Sequence, residues 1–294
     1  MWKLAIILAA VAVSYGQAKL VNTYVLYTKA TQNMPQTVNV ADTTLPAAFD
    51  ASLNTIILVH GHGGSVKSQL NPLVKDAILK YQDPSLNVIV VDWSREASYS
   101  YSVAVESVPL VAKDLGDFII KFFKEATDVA KLHLVGFGLG AHVVGIAGRQ
   151  VAAAAVPPGL VARITGLDPS GSQWGANSAR LRRTDAAYVE VIHTDGSGLF
   201  SHGIGTALGD IDIYANGGSN QPGCLTNTCS HERAYELFAA SMFNTNLKAV
   251  PCSSSTQLNL NLCRGNPLDI GGVRLSKTGS SRIYRINTKR NYPF

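Results

Sequence analysis

Leu132-His133-Leu134-Val135-Gly136-Phe137-Gly138-Leu139-Gly140-Ala141-His142 passes from a strand-forming run through three alternating glycines into Val143-Val144-Gly145-Ile146-Ala147-Gly148, a helical stretch. This is a strand, a sharp turn and a helix. Small residues two places before and two places after a central residue let the chain double back there, leaving that residue strained and exposed above a sheet. With serine at the centre, the turn is a nucleophile elbow, G-x-S-x-G. Here the frame is intact and its centre is Gly138. Glycine tolerates a left-handed backbone at no steric cost but has no Oγ for acyl transfer. Two other readings fit the same residues. Gly136, Gly138 and Ala141 match G-x-G-x-x-A, whose glycines bring the backbone against a pyrophosphate. That match is weak, because the segment follows a middle strand and no acidic residue ends a strand about 20 residues onward. A purely structural glycine turn is the other reading.

Outward from this turn, the neighbouring segments favour the elbow. Gly138 is followed by Asp168, in Thr165-Gly166-Leu167-Asp168-Pro169, and then by His231, in Cys229-Ser230-His231-Glu232. That is the chain order nucleophile, acid, histidine. Upstream, Leu58-Val59-His60-Gly61-His62-Gly63-Gly64 ends an earlier strand in a glycine-rich turn. Such a turn can supply one oxyanion N–H, with Leu139 supplying the other. Each feature has a plainer reading taken singly: Asp-Pro is a common turn, a lone histidine is often structural, and His60-Gly61-His62 could hold a metal.

Short runs rich in β-branched residues alternate with helical stretches along the rest of the chain, which predicts an α/β fold with a central, mostly parallel sheet flanked by helices. Strands are predicted over Thr55–His60, Asn87–Asp92, Leu132–Gly136, Arg163–Leu167, Tyr188–His193 and Asp210–Tyr214. Helices are predicted over Ser68–Tyr81, Val103–Lys124, Gly140–Val151 and Ser230–Phe243, the first two from apolar residues recurring on one face. Ala152–Gly159 reads as a connection that Pro157 and Pro158 bring to a stop, and Gly196–Gly209 as a glycine-rich loop.

Of 294 residues, 46% are hydrophobic, enough for a sizeable core in one domain. The net charge of +5 includes no like-charged block longer than Arg182-Arg183, which gives no reason to expect nucleic acid. Lys3, the apolar run Leu4 to Val13 and the small residues around Gly16-Gln17-Ala18 read as a signal peptide over residues 1–18, leaving a single domain over 19–294 and a secreted, extracellular product. No later apolar run is long enough to span a bilayer. The four cysteines then meet an oxidising compartment. Cys224 with Cys229 and Cys252 with Cys263 are near enough in sequence to suggest neighbour pairing, although three connectivities are possible. A zinc site would require C-x₂-C spacing, which is missing.

Taken in order, these segments resemble the animal pancreatic-lipase superfamily, which includes triglyceride lipases, phospholipases A1 and insect yolk proteins. The resemblance rests on Ile57 to Gly61, Val91-Asp92-Trp93-Ser94, the elbow at 136–142, Arg163 to Pro169, Val191-Ile192-His193-Thr194-Asp195-Gly196, and Ile213 to Gly218 through Pro222-Gly223-Cys224. It implies an α/β-hydrolase fold, Asp168 and His231 as catalytic acid and base, His62 and Leu139 as oxyanion donors, and neither a cofactor nor a metal. Three departures accompany it. The family's serine is Gly138, as in the yolk-protein branch. Only Leu225 to Thr228 lie between the cysteines that bracket the family's lid, as in phospholipases A1. The chain ends at Phe294, short of the β-sandwich that colipase-dependent lipases carry, so colipase is not an expected partner. The resemblance therefore implies a secreted pseudoenzyme that binds, carries or stores a lipid or other amphipathic ligand, with possible contact to a lipid surface. The alternatives are an active lipase or phospholipase A1, and a structural protein of an extracellular matrix, egg coat or secretion.

Overall fold

The computed structural model describes residues 22–82, 85–154 and 159–294. The expected signal peptide lies outside these residues, as do Pro157 and Pro158. The strands are β1 (Thr23–Tyr27), β2 (Gln36–Thr37), β3 (Thr55–Val59), β4 (Asn87–Asp92), β5 (Leu132–Phe137), β6 (Arg163–Leu167), β7 (Tyr188–His193), β8 (Ile211–Ala215), β9 (Lys248–Cys252), β10 (Leu268–Asp269) and β11 (Ile283–Ile286). The helices are α1 (Leu70–Tyr81), α2 (Ser94–Ala97), α3 (Tyr101–Phe122), α4 (Ala126–Val129), α5 (Leu139–Ala153), α6 (Asn227–Ala240) and α7 (Ser255–Asn259).

Among the described residues the strands form one sheet in the order β10-β9-β11-β8-β7-β6-β5-β3-β4-β1-β2. From β4 across to β11 all neighbours are parallel, and the pairs at the two edges are antiparallel. Successive residues of the central strands serve opposite faces. Ile57, Val59, Ile89 and Val91 pack with Val111 and Leu115 of α3 and Val143 and Ala147 of α5. Ile56, Leu58, Val88 and Val90 pack with Val74 and Ile78 of α1 and Leu237 and Phe238 of α6. A strand buried on both faces reads as an unbroken apolar run, which is why Ile56-Ile57-Leu58-Val59 has no polar residue. Each such side chain, fully buried, contributes roughly 1.5–3 kcal/mol.

The parallel register aligns the strand ends. Val59 pairs with Gly136, Gly136 with Gly166, and Leu167 with Ile192. The loops leaving β3, β5, β6 and β7 therefore emerge side by side at the carboxyl edge of the sheet, where ligands of open α/β sheets bind.

The six predicted strands are present, with β3 one residue shorter, β5 one longer and β8 displaced by one. The predicted helices are present with shifted ends. α6 begins at Asn227 rather than Ser230, because the Thr226 side chain accepts the Cys229 N–H at 3.2 Å and so caps the helix earlier. Five strands were not predicted. β1, β2, β9, β10 and β11 lie outside the central block, where half-exposed or two-residue strands carry little apolar signal, and Pro251 interrupts β9.

At the opposite edge of the sheet lies a buried ionic cluster. Glu190 on β7 and Arg163 on β6 are both fully buried, with Oε1 and Nη2 3.0 Å apart. Glu190 also accepts from Lys277 Nζ at 2.7 Å, Tyr188 OH at 2.8 Å and Gly271 N at 2.8 Å. Arg163 donates to the carbonyls of Gly271, Gly272 and Arg274. The cluster thereby ties the segment following β10 to the middle of the sheet. Burial opposes the charge on Glu190, but the Lys277 ammonium and the Arg163 guanidinium outweigh it and hold the carboxyl below its ordinary range.

Candidate functional site

The turn after β5 is as tight as its sequence requires. A Cβ on Gly136 would lie 2.2 Å from the Gly140 carbonyl oxygen, and one on Gly140 would lie 2.4 Å from that of Val59. No side chain fits at either position. Gly138 differs: its backbone is at φ 55°, ψ −117°, and the atoms nearest a Cβ there would be His231 Nε2 at 3.1 Å and Ser170 Oγ at 3.4 Å. Space thus forbids side chains at the two flanking glycines but not at the central one, which sits in a left-handed conformation that disfavours any L side chain. Leu139 follows as the first residue of α5, so its N–H has no partner within the helix.

Asp168 leaves β6 at φ 41°, fully buried. Its Oδ1 accepts the N–H groups of Thr194 at 2.8 Å and Asp195 at 3.0 Å. Its Oδ2 accepts His231 Nδ1 at 2.6 Å. His231, on the first turns of α6 and packed against the Phe137 ring at 4.4 Å, therefore turns Nε2 toward the empty side-chain position of Gly138. Gly138, Asp168 and His231, three residues far apart in sequence, meet at one point. His62 donates from Nε2 to the Tyr99 carbonyl at 2.9 Å and stands edge-on to Tyr101, at the mouth of the same cleft. His60, by contrast, is buried against Trp93 and paired with Asp92. The His60-Gly61-His62 pair is thus split between core and cleft, and among the described residues no group of three or more His, Cys, Asp or Glu is arranged to hold a metal.

The cleft has a volume of about 400 Å³. Its lining includes His62, Tyr101, Phe137, Ser170 and His231, together with His202, which the sequence reading passed over. His202 donates from Nδ1 to Asp195 Oδ2 at 3.0 Å, and its ring stacks on that of His231 with centroids 5.3 Å apart. Asp195 is fully buried and also accepts from His202 N at 2.8 Å and Asn227 Nδ2 at 2.9 Å. A second carboxylate–imidazole pair thus lies beside the first. Asp195 lies within the Val191 to Gly196 segment that carries the family resemblance, but His202 lies in the glycine-rich stretch Gly196–Gly209, where no spacing rule marks it.

His142 on α5 holds the Asp168 loop against the elbow: its Nε2 donates to the Ser170 carbonyl at 2.8 Å, and its Nδ1 accepts the Leu181 N–H at 3.2 Å. Burial pushes its pKa down to about 3. Burial likewise pushes that of His133 well below its ordinary value. The unfolded chain takes up a proton at His142 as pH falls through about 6.5, whereas the folded chain does not until about pH 3. Stability from this residue is therefore complete above pH 6.5 and is lost progressively below it, by roughly 2 kcal/mol at pH 5. His133 adds a loss of the same sign. Urea midpoints measured from pH 7.5 to pH 5 should fall accordingly, and His142→Gln should lower the midpoint at pH 7.5 while flattening its pH dependence. An unchanged slope in that variant would remove His142 as the source.

Cys224 bonds to Cys229 and Cys252 to Cys263, which resolves the connectivity that sequence left open. Leu225, between the first pair, is fully exposed, as are most of Leu199 and Phe200 in the loop that carries His202. Among the described residues no helix is long and apolar enough to cross a membrane.

A parallel sheet with this strand–elbow–helix unit, and an acid and a histidine from its later loops, defines an α/β hydrolase. The chain matches the family model "Lipase" over residues 9–272, and it belongs to that lipase family. It is 34% identical to phospholipase A1 member A of Rattus norvegicus over 244 residues, 79% of this chain and 51% of the relative. It is 34% identical to lipoprotein lipase of Homo sapiens over 288 residues, 87% of this chain and 59% of the relative. The chain thus spans a little over half the length of these curated relatives. Among solved structures it is similar to an α/β serine hydrolase without a lid from Xanthomonas campestris, at 16% identity and a TM-score of 0.31, covering 57% of this chain and 70% of that one.

Proposed function

We propose that this chain is a secreted lipase-family protein that does not hydrolyse esters and instead binds, carries or stores a lipid or other amphipathic ligand. The observation that carries this reading is the empty position at Gly138, 3.1 Å from His231 Nε2. In this reading Asp168 orients His231, and the N–H groups of Leu139 and His62 line an oxyanion hole, but no hydroxyl stands where His231 could take its proton. Removing the serine from a comparable triad costs about 10⁶-fold in turnover, leaving only roughly 10³ to 10⁴ over water from binding and the oxyanion hole. The two disulfides and the leader-like N-terminal sequence support secretion.

A second reading, an active ester hydrolase, has one observation behind it: Ser170 Oγ lies 3.4 Å from the same empty position. It stands on the loop after β6 rather than at the head of a helix, and makes no hydrogen bond to His231 in the described contacts. A fluorophosphonate probe separates the readings, since it labels only an activated serine. The secreted protein should remain unlabelled and should release no fatty acid from short-chain esters, triglyceride or phosphatidylcholine. Labelling abolished by Ser170→Ala would establish the second reading instead.

A further inference from the structure

Nothing in a hydrolase-derived site requires the His202–Asp195 pair, and its geometry bears on which ligand the cleft takes. Two imidazoles stack 5.3 Å apart. Each gives its Nδ1 proton to its own fully buried carboxylate, Asp168 for His231 and Asp195 for His202. Among the described contacts, neither Nε2 has a partner. The Asp168 carboxylate is further satisfied by two backbone N–H groups, and that of Asp195 by one backbone N–H and Asn227, so both acids are occupied away from the cleft. The surface the cleft presents is accordingly made of three histidines, three serines, Tyr101 and Phe137, with no carboxylate.

We infer that this cleft selects an amphipathic acid, a long alkyl chain ending in a carboxylate, over the corresponding ester or alcohol; the inference rests on the lipid-binding reading above. A carboxylate has two oxygens and so can meet both imidazoles at once. One oxygen occupies the space left open at Gly138, within reach of His231 Nε2, the Ser170 hydroxyl and the Leu139 N–H at the start of α5. The other meets His202 Nε2. With each Nδ1 committed to its own acid, a proton on Nε2 makes that nitrogen a donor to the carboxylate, and hydrogen bonds with an ionised partner are about twice as strong as neutral ones. An ester carbonyl brings neither the charge nor the second free oxygen. Phe137 within the cleft, and the exposed Leu199 and Phe200 next to His202 in the chain, offer apolar surface for the hydrocarbon.

The test is equilibrium binding of oleate, methyl oleate and oleyl alcohol to the full secreted protein and to two variants. His202 is 45% exposed, so His202→Gln and His202→Phe, the second retaining a ring to stack on His231, should both fold. Oleate should bind about tenfold tighter than either neutral lipid, and both variants should lose roughly that factor for oleate while keeping their affinity for methyl oleate. A general loss of packing would weaken all three lipids together and would overturn the assignment of His202. Equal binding of oleate and methyl oleate by the native protein would overturn the selectivity while leaving the lipid-binding reading intact. Failure to bind any of the three would overturn that reading as well.

Discussion

Gly138→Ser is expected to gain esterase activity of at least about 10³-fold over the native chain and to lose stability in the same step. The gain follows from what surrounds the position. His231 Nε2 lies 3.1 Å from where the new Cβ would stand, its ring is held by Asp168 at 2.6 Å, and the Leu139 N–H is free of helix bonding. The hydroxyl is then the one missing part of a unit whose members act together, and such units lose about 10⁶ in turnover when the nucleophile alone is removed. The expected gain is set lower because 3.1 Å is tighter than an ordinary carbon–nitrogen contact, so the imidazole must withdraw by a few tenths of an ångström. A side chain at φ 55° also costs about 1–3 kcal/mol of backbone strain, as serine does in working elbows. Gly138→Ala separates the two effects, since it should lower the melting temperature as much and gain no rate. Initial rates on a short-chain ester and on phosphatidylcholine are the measurement. A well-folded serine variant no faster than the native chain would mean that Asp168, His231 and Leu139 do not form a catalytic frame.

The second large effect is structural. Glu190→Gln should destabilise the fold by roughly 3–5 kcal/mol, the range found when one member of a buried ionic group is removed. Glu190 accepts four groups and is the acid between Arg163, fully buried, and Lys277, whose side chain is 6% exposed. Glutamine has nearly the same shape but no charge, so two cations remain buried against an amide whose own N–H₂ then faces donors. Because Arg163 and Gly271 N tie the 271–274 segment to the sheet, that segment should lose amide protection before the rest. Lys277→Met combined with Glu190→Gln relieves one of the stranded cations and should recover part of the loss. Denaturant unfolding of the two variants checks this, and a loss under about 1 kcal/mol for the single variant would show that solvent reaches the cluster.

The centre of the fold was legible because parallel strands buried on both faces are predominantly apolar. Ile56 to Val59 is such a run, Leu132 to Val135 departs from it only at His133, and the glycines at 136 and 140 mark a turn with no room for side chains. Asp168 and His231 were legible by their order after that turn. The edges were not. β1 is buried on one face only, and β11 gains its place by pairing with β8 and β9, which are distant in sequence. His202 escaped for a related reason: what makes it notable is its contact with His231 and Asp195, and a loop residue's contacts are set by tertiary packing rather than by any local period. Ser170 stands outside the elbow pattern and so carries no local signal. Its nearness to the empty position at Gly138 depends on the fold of the Asp168 loop, which His142 secures from the other side.

The short span between Cys224 and Cys229 has a kinetic consequence. Four residues closed by a disulfide cannot swing across a cleft of about 400 Å³. If the cleft takes a ligand as proposed, this segment supplies no gating step, and the observed association rate is expected to rise linearly with ligand concentration and show no plateau. Residence time is then expected to follow the contacts inside the cleft. Under the binding role proposed above, a ligand would then exchange passively, loading where it is abundant and unloading where it is scarce.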